Sequence, residues 1–164
     1  MMIRPERPED VAAIDAVTRA AFADHPHSDQ TEHRIVERLR SSGSLALALV
    51  AEEGENILGH IAFSPVEIGD GIDGWYGLGP LSVTPDRQGE GIGSALVRQG
   101  LARLAELGGH GCVVMGDPGY YSRFGFGHYH DLVLVDCAPQ YFMGIALSGP
   151  MACGIVRYNS AFYG

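Results

Sequence analysis

Residues 84–97 read TPDRQGEGIGSALV, and the rest of the chain is best read outward from them. A β-like run ends just before them, at Leu81-Ser82-Val83. The glycine-rich turn Gln88-Gly89-Glu90-Gly91-Ile92-Gly93 follows, and Ser94 is expected to open a helix with an apolar stripe. Glycines at 89, 91 and 93 strip side chains from the turn, so successive backbone N–H groups can face one point. The new helix adds its unpaired N-terminal donors and the positive end of its dipole. That combination suits an anion, most often a phosphate or pyrophosphate. The candidate anion-binding residues are therefore Gln88, Gly89, Glu90, Gly91, Ile92, Gly93 and Ser94.

Two common phosphate loops fit poorly. A Rossmann turn needs a third glycine where Ser94 stands, and it belongs to the first strand–helix unit of a βαβ series. Here the preceding elements read as a meander. A P-loop ends in Gly-Lys-Ser/Thr, and no lysine stands in this region.

The whole chain sets outer limits. Its 164 residues suit one domain, 1–164, large enough for a real core. An apolar fraction of 46% is that of an ordinary globule. The formal charge of −9 argues against nucleic acid as a partner, because that needs clustered Lys and Arg. An acidic chain must hold an anion through local amides, not through its overall field. Cys112, Cys137 and Cys153 are odd in number and read as buried thiols of a reducing compartment. No run approaches a membrane span, and no signal peptide is visible after MMIRPERPEDV. The expected setting is cytoplasmic, with no membrane partner.

The element pattern is β-α-α-β-β-β-α-β-α-β-β. Ile3–Pro5 reads as a short strand. Pro8 to about residue 23 reads as a helix with Val11, Ile14, Val17, Ala21 and Phe22 on its apolar side. Thr31 is a plausible N-cap for a second helix carrying Ile35, Val36 and Leu39 and ending near Gly43. Runs at 45–51, 57–68 and 75–83 form a meander. Proline cannot donate to a ladder, so Gly79-Pro80 should make the third strand bulge or splay. The helix after the glycine turn should face inward through Val97, Leu101, Leu104 and Ala105. A buried strand at 112–115, a short helix at 120–124 and strands near 132–135, 143–147 and 153–158 complete an α+β domain.

The pattern Gln88-x-x-Gly91-x-Gly93 after Leu81-x-Val83-x-Pro85 resembles the acetyl-CoA signature of the GCN5-related N-acetyltransferase (GNAT) superfamily. The element order is similar over nearly the whole chain. Two further stretches resemble the YhbS-like acetyltransferases of bacteria: Gly59-His60-Ile61-Ala62-Phe63-Ser64-Pro65-Val66, and residues 116–126 with Tyr121-x-x-x-Gly125-Phe126. The resemblance implies a mixed, mostly antiparallel sheet flanked by helices in three layers and splayed at its central strands. It implies acetyl-CoA as co-substrate, with no metal, and transfer of the acetyl group to an amine by direct attack. The amine would belong to a small molecule or a protein. Backbone groups near Leu81 and Val83 would meet the pantetheine arm, and Tyr121 would be the general acid. Exposed sheet edges near the C-terminus suggest a homodimer. A different class remains open, a non-catalytic acyl-CoA binding or sensing domain of the same fold.

The general base is not singled out. Glu32, His60 and Asp117 are candidates, each with an ordinary structural alternative. His25/His27 and His128/His130 form alternating pairs, yet neither has the further ligands that a zinc site requires. Cys112 sits in an apolar strand and should be inert.

Overall fold

A computed structural model describes all 164 residues. The chain runs β1 (Met2–Pro5), α1 (Val11–Phe22), α2 (Glu32–Ser41), β2 (Leu47–Glu53), β3 (Asn56–Pro65), β4 (Glu67–Ile68) and β5 (Trp75–Val83). It continues α3 (Ile92–Glu106), β6 (Gly111–Met115), α4 (Pro118–Tyr121), β7 (Leu132–Leu134), β8 (Phe142–Ala146) and β9 (Gly154–Arg157). Six strands form the main sheet in the order β1-β2-β3-β5-β6-β8. Every neighbouring pair is antiparallel except β5–β6. The expected mixed, mostly antiparallel sheet is therefore present.

Its two faces bury different things. Side chains alternate across a strand, so Leu49, Ala51, Ile61, Phe63 and Leu78 point to one face. There they meet Leu96, Val97, Leu101 and Leu104 of α3. Full burial of a leucine such as Leu96 contributes about 2 kcal/mol. The helix is inward-facing as its pattern predicts, with one correction: Ala105 is exposed, and Ile92, Leu96 and Gly100 complete the buried stripe. Opposite, Val50 packs against Ile14 of α1 and Val36 of α2.

α1 and α2 are also tied down by charge. Arg4 Nη1 donates to Asp10 Oδ2 at 2.7 Å, and its Nη2 donates to Glu52 Oε2 at 2.6 Å. Asp10 additionally accepts from the Arg7 amide at 2.8 Å, closing the turn that leads into α1. Hydrogen bonding to Arg4 outweighs burial and holds the Asp10 carboxyl below its usual range. So Asp10 is a buried ion-pair partner rather than a simple first-turn acid.

Two expectations need correction. The long run 57–68 is not one strand: β3 ends at Pro65, and β4 leaves the main sheet. β4, β9 and β7 form a separate three-stranded sheet, so the tail supplies only β8 to the main one. Periodicity cannot tell a strand which sheet to join. A second core of Val66, Ile68, Trp75, Val113, Phe142 and Val156 fills the space between the two sheets. Of the three thiols, only Cys112 is buried; Cys153 is exposed and Cys137 partly so.

Candidate functional site

β5 and β6 pair only from Trp75↔Gly111 to Gly77↔Val113. Beyond Gly77 the two central strands part, leaving a wedge whose β5 side is residues 78–83. Gly79-Pro80 lies at the start of that segment, and the β3–β5 register slips there, from Ile61↔Leu81 to Phe63↔Leu78. The splay predicted from the glycine–proline pair is observed. Ile61 and Leu81 remain opposed, as do Gly59 and Val83. Leu81 and Val83 are half-buried. Gln88 Nε2 donates to the Val83 carbonyl at 3.0 Å, pinning the loop to the strand end.

The glycine turn stands at the tip of that strand. α3 begins at Ile92, two residues before the expected Ser94, with Gly91 as its N-cap. Gly89 and Gly91 both have left-handed backbone, φ +80° and +88°, and a Cβ on either would meet open space. Glycine is needed at these two by conformation. Gly93 is different, because a Cβ there would lie 2.8 Å from the Tyr120 hydroxyl. The amides of Gly89 through Ser94 donate to no acceptor in the chain, and the α3 ladder starts with the Ala95 amide on the Gly91 carbonyl at 3.0 Å. Six consecutive free donors at a helix N-terminus make a cradle for an anion. The loop is braced from outside, where Arg87 donates to Glu90 at 3.0 Å and to Glu53 at 2.7 Å.

Tyr120 and Tyr121 share α4 but point apart. Tyr120 reaches Gly93, and the Arg123 guanidinium lies 4.8 Å from its ring centre. Tyr121 turns toward the main core, packing on Phe126 and over Gly116. Burial pushes its phenol well above the usual value, with smaller contributions from Tyr120 and Cys112, so it stays protonated at any ordinary pH. Burial likewise drives the Cys112 thiol up, and it is inert.

The three base candidates lie in three places. Asp117 caps α4, accepting the Gly119 amide at 3.0 Å. His60 is fully buried, its Nε2 2.8 Å from Glu6 Oε1, and Glu6 also accepts from Arg40 at 3.0 Å. Burial tends to raise the Glu6 carboxyl, but these two hydrogen bonds together hold it below its usual value. Glu32 is half-buried, accepts from Ser28 Oγ at 2.6 Å, and lines a cavity of about 220 Å³ with Thr18, Phe22 and His33. The structure does not bring these three together.

One histidine of each pair, His25 and His128, meets a protein partner through its ring. The His27 amide donates to His25 Nδ1 at 3.3 Å in a loop, not a strand, and His128 Nε2 lies 2.7 Å from the Gln140 carbonyl. No group of three His, Cys, Asp or Glu side chains is arranged to hold a metal ion. No helix is long and apolar enough to cross a membrane.

Two residues near the wedge were given no role from the sequence, although Ser64 lies in the 59–66 stretch that carries the resemblance. Tyr158, at the end of β9, lays its ring over Gly77, the last β5 residue paired with β6. Ser64 lies opposite Gly77 in register and is fully buried. Its Oγ has no hydrogen-bond partner.

Comparison with known proteins places this geometry. Residues 44–128, which span β3, the splayed β5, the glycine turn and Tyr121, match the family described as "Acetyltransferase (GNAT) domain". The N-acetyltransferase YhbS of Escherichia coli K12 is 41% identical over 136 residues, covering 80% of this chain and 78% of that protein. A GNAT family acetyltransferase from Brucella melitensis, solved in complex with acetyl-CoA, superposes with a TM-score of 0.88 at 52% identity. The match covers 98% of this chain and 97% of that one. The Escherichia coli YhbS structure, in complex with CoA, gives a TM-score of 0.90 at 36% identity, covering 99% and 92%.

Proposed function

The chain belongs to the GNAT acetyltransferases, and from that premise we propose that it uses acetyl-CoA to acetylate a primary amine by direct attack. The observation that carries this reading is the run of free amides from Gly89 to Ser94 at the tip of a strand that has parted from its neighbour. Relatives solved with acetyl-CoA and CoA support the identity of the donor. The residues present fit it. The open space over Gly89 and Gly91 leaves room for a pyrophosphate against the amides. The wedge between β5 and β6 leaves β5 backbone for an extended arm.

Bound acetyl-CoA supplies an activated thioester: a C–N bond forms to the amine as the C–S bond breaks, one proton leaves nitrogen and one reaches sulfur. Each protein group then has a defined task. The amides of residues 89–94 hold the pyrophosphate, and the α3 dipole adds to that attraction. β5 backbone near Leu81 and Val83 orients the arm, and an N–H aimed at the thioester oxygen stabilises charge that develops there. The Val83 carbonyl already accepts from Gln88 and keeps one further lone pair for the arm. The proton that leaves nitrogen passes to solvent water and solvent returns one to the sulfur, while Tyr121 keeps its own proton and hydrogen-bonds the departing sulfur. Because burial makes it a weaker acid than a free phenol, its help lies in stabilising negative charge as the C–S bond lengthens, not in early proton release.

The test is calorimetry with acetyl-CoA, paired with thiol release across an amine panel. Binding at micromolar concentration together with amine-dependent thiol release is expected. The variant Gly91→Glu places a carboxylate among the free amides at a left-handed position, and it should weaken acetyl-CoA at least 100-fold. A folded protein that binds no acetyl-CoA, or a Gly91→Glu variant that binds undiminished, overturns the proposal. Binding with no thiol release for any amine would instead assign a non-catalytic acyl-CoA sensor.

A further inference from the structure

The amide cradle has a basic flank. The chain contains no lysine, and all eleven of its basic residues are arginine. Arg4, Arg19, Arg40, Arg87 and Arg157 each hold a carboxylate, whereas Arg98 and Arg123 hold none. Each of these two lies over an aromatic ring instead. The Arg98 guanidinium is 5.0 Å from the Phe124 ring centre, and that of Arg123 is 4.8 Å from the Tyr120 ring centre. The two rings are neighbours, 5.3 Å between centres. Both arginines are exposed. An aromatic face attracts a guanidinium without neutralising it, so both keep their full charge and N–H edges free to donate. In a chain whose net charge is −9, two unneutralised cations on adjacent rings are a local reversal of sign.

Their place beside the cradle follows from α3 and α4. Arg98 stands four residues beyond Ser94, the last of the free amides, so the two share a face of α3. Long side chains on a helix lean back toward its N-terminus, which carries the Arg98 stem toward the cradle. Arg123 lies over the very ring whose hydroxyl reaches Gly93, so a single tyrosine ring separates its guanidinium from the cradle. Asp117, at the start of α4, turns its carboxylate to the Gly119 amide at 3.0 Å. The other flank of the loop is built differently. There Arg87 is shared by Glu90 and Glu53, and its charge is cancelled within the loop.

We infer that Arg98 and Arg123 form a second anion subsite, that it takes the 3′-phosphate of the CoA nucleotide, and that the pair selects free acyl-CoA over acyl groups borne on phosphopantetheine alone. The inference rests on the acetyltransferase reading above. With the pyrophosphate on the amides of residues 89–94, the remaining phosphate of CoA is one ribose away. A phosphate monoester carries about −1.5 to −2 charges at pH 7 and offers three acceptor oxygens. The planar fork of a guanidinium matches those oxygens better than an ammonium does. A carrier-bound phosphopantetheine has neither ribose nor 3′-phosphate, so it would leave both arginines without a partner. Arg98 and Arg123 are specificity-determining residues for the donor, and neither touches the reacting atoms.

The experiment is calorimetry with two ligands, CoA and 3′-dephospho-CoA. They are titrated into the unmodified protein, Arg98→Gln, Arg123→Gln, the double variant, and Arg34→Gln. The last removes the same charge from an exposed position on α2. Exposed ion pairs are individually weak, but two converge on one doubly charged group. The unmodified protein should therefore bind CoA roughly tenfold more tightly than 3′-dephospho-CoA. Each single variant should lose about threefold toward CoA, and the double variant about tenfold, while affinity for 3′-dephospho-CoA stays within about twofold throughout. Arg34→Gln should behave as the unmodified protein. Raising the ionic strength to about 0.5 M should shrink the preference for CoA. Equal affinity of the unmodified protein for the two ligands, a preference that survives in the double variant, or an equal loss of both ligands there overturns the inference. So does a loss in Arg34→Gln that matches the double variant, which would assign the preference to net charge. Absence of binding of either ligand by the unmodified protein overturns the earlier reading instead, so the two failures are distinguishable.

Discussion

The two sides of the wedge are built from different materials. The α3 side is backbone: a parted strand, two left-handed glycines and six free amides within one stretch, 78–94. The opposite side is side chains gathered from distant segments: Ser64 and Tyr158, 94 positions apart, the 3-10 turn Ser160–Tyr163, and α1–α2 held down by Arg4–Asp10 and Glu6–His60–Arg40. Backbone binding needs only a local conformation, so it can be written in a short motif. Side-chain binding needs the whole fold. The first side should therefore tolerate acid and resist remote mutation, whereas the second should respond to both.

The largest effect should come from the charged ties of α1. Removing one partner of a buried ion pair costs about 3 kcal/mol, and Asp10→Ala would leave Arg4 with Glu52 alone and free the Arg7 amide. Urea unfolding at neutral pH should show that loss. The pH dependence follows from Asp10 and Glu6, whose carboxyls are both depressed in the folded protein. Their stabilisation is fully present above the unfolded carboxylate range near pH 4. It disappears as pH falls through the folded values. Stability should therefore fall steeply below about pH 4, and the fall should be shallower in Asp10→Ala. Equal steepness in both proteins would mean that the ion pair does not distinguish the two sides.

Next in size is Tyr121→Phe. This residue is packed in the α3-side core, on Phe126 and over Gly116. Loss of a group that stabilises the departing sulfur should lower kcat about 100-fold, with KM for acetyl-CoA unchanged. A change in acetyl-CoA affinity with kcat preserved would make Tyr121 a piece of the donor wall instead.

The contrast also explains what the sequence disclosed. The splay was legible because proline at 80 cannot serve a central ladder, and the cradle because Gly89 and Gly91 answer a backbone need. The helix start was misplaced by two residues because Gly91, not Ser94, caps α3, and a left-handed glycine cap leaves no side-chain signature. The small second sheet was missed because β4, β7 and β9 are short and their partners lie far apart in sequence. Ser64 and Tyr158 were illegible for the same reason: a serine in an apolar strand and a tyrosine near the C-terminus acquire meaning only when Gly77 brings them together. Glu32, His60 and Asp117 looked equivalent as candidate bases, yet only tertiary contacts separate a helix cap and a buried triad from a residue lining a cavity.

The smallest predicted effect probes whether the cradle is backbone alone. Gly93 lacks the left-handed conformation of Gly89 and Gly91, so alanine there carries no backbone strain and even gains about 1 kcal/mol of helix propensity. What opposes it is contact: the new Cβ would sit 2.8 Å from the Tyr120 hydroxyl. That ring is confined by Tyr121 at 5.0 Å, Phe124 at 5.3 Å and the Arg123 guanidinium, so it cannot simply swing away. Gly93→Ala should therefore shift the first turn of α3 and weaken acetyl-CoA roughly tenfold, about 1.4 kcal/mol. Tyr120→Phe removes the offending oxygen and should restore affinity in the double variant while doing little alone. Gly91→Ala, whose cost is conformational, should gain nothing from Tyr120→Phe. Calorimetry on these five proteins decides the point. Rescue of Gly93 but not of Gly91 separates packing from backbone conformation within one loop; rescue of neither means that all three glycines answer the same backbone demand, and the cradle owes nothing to α4.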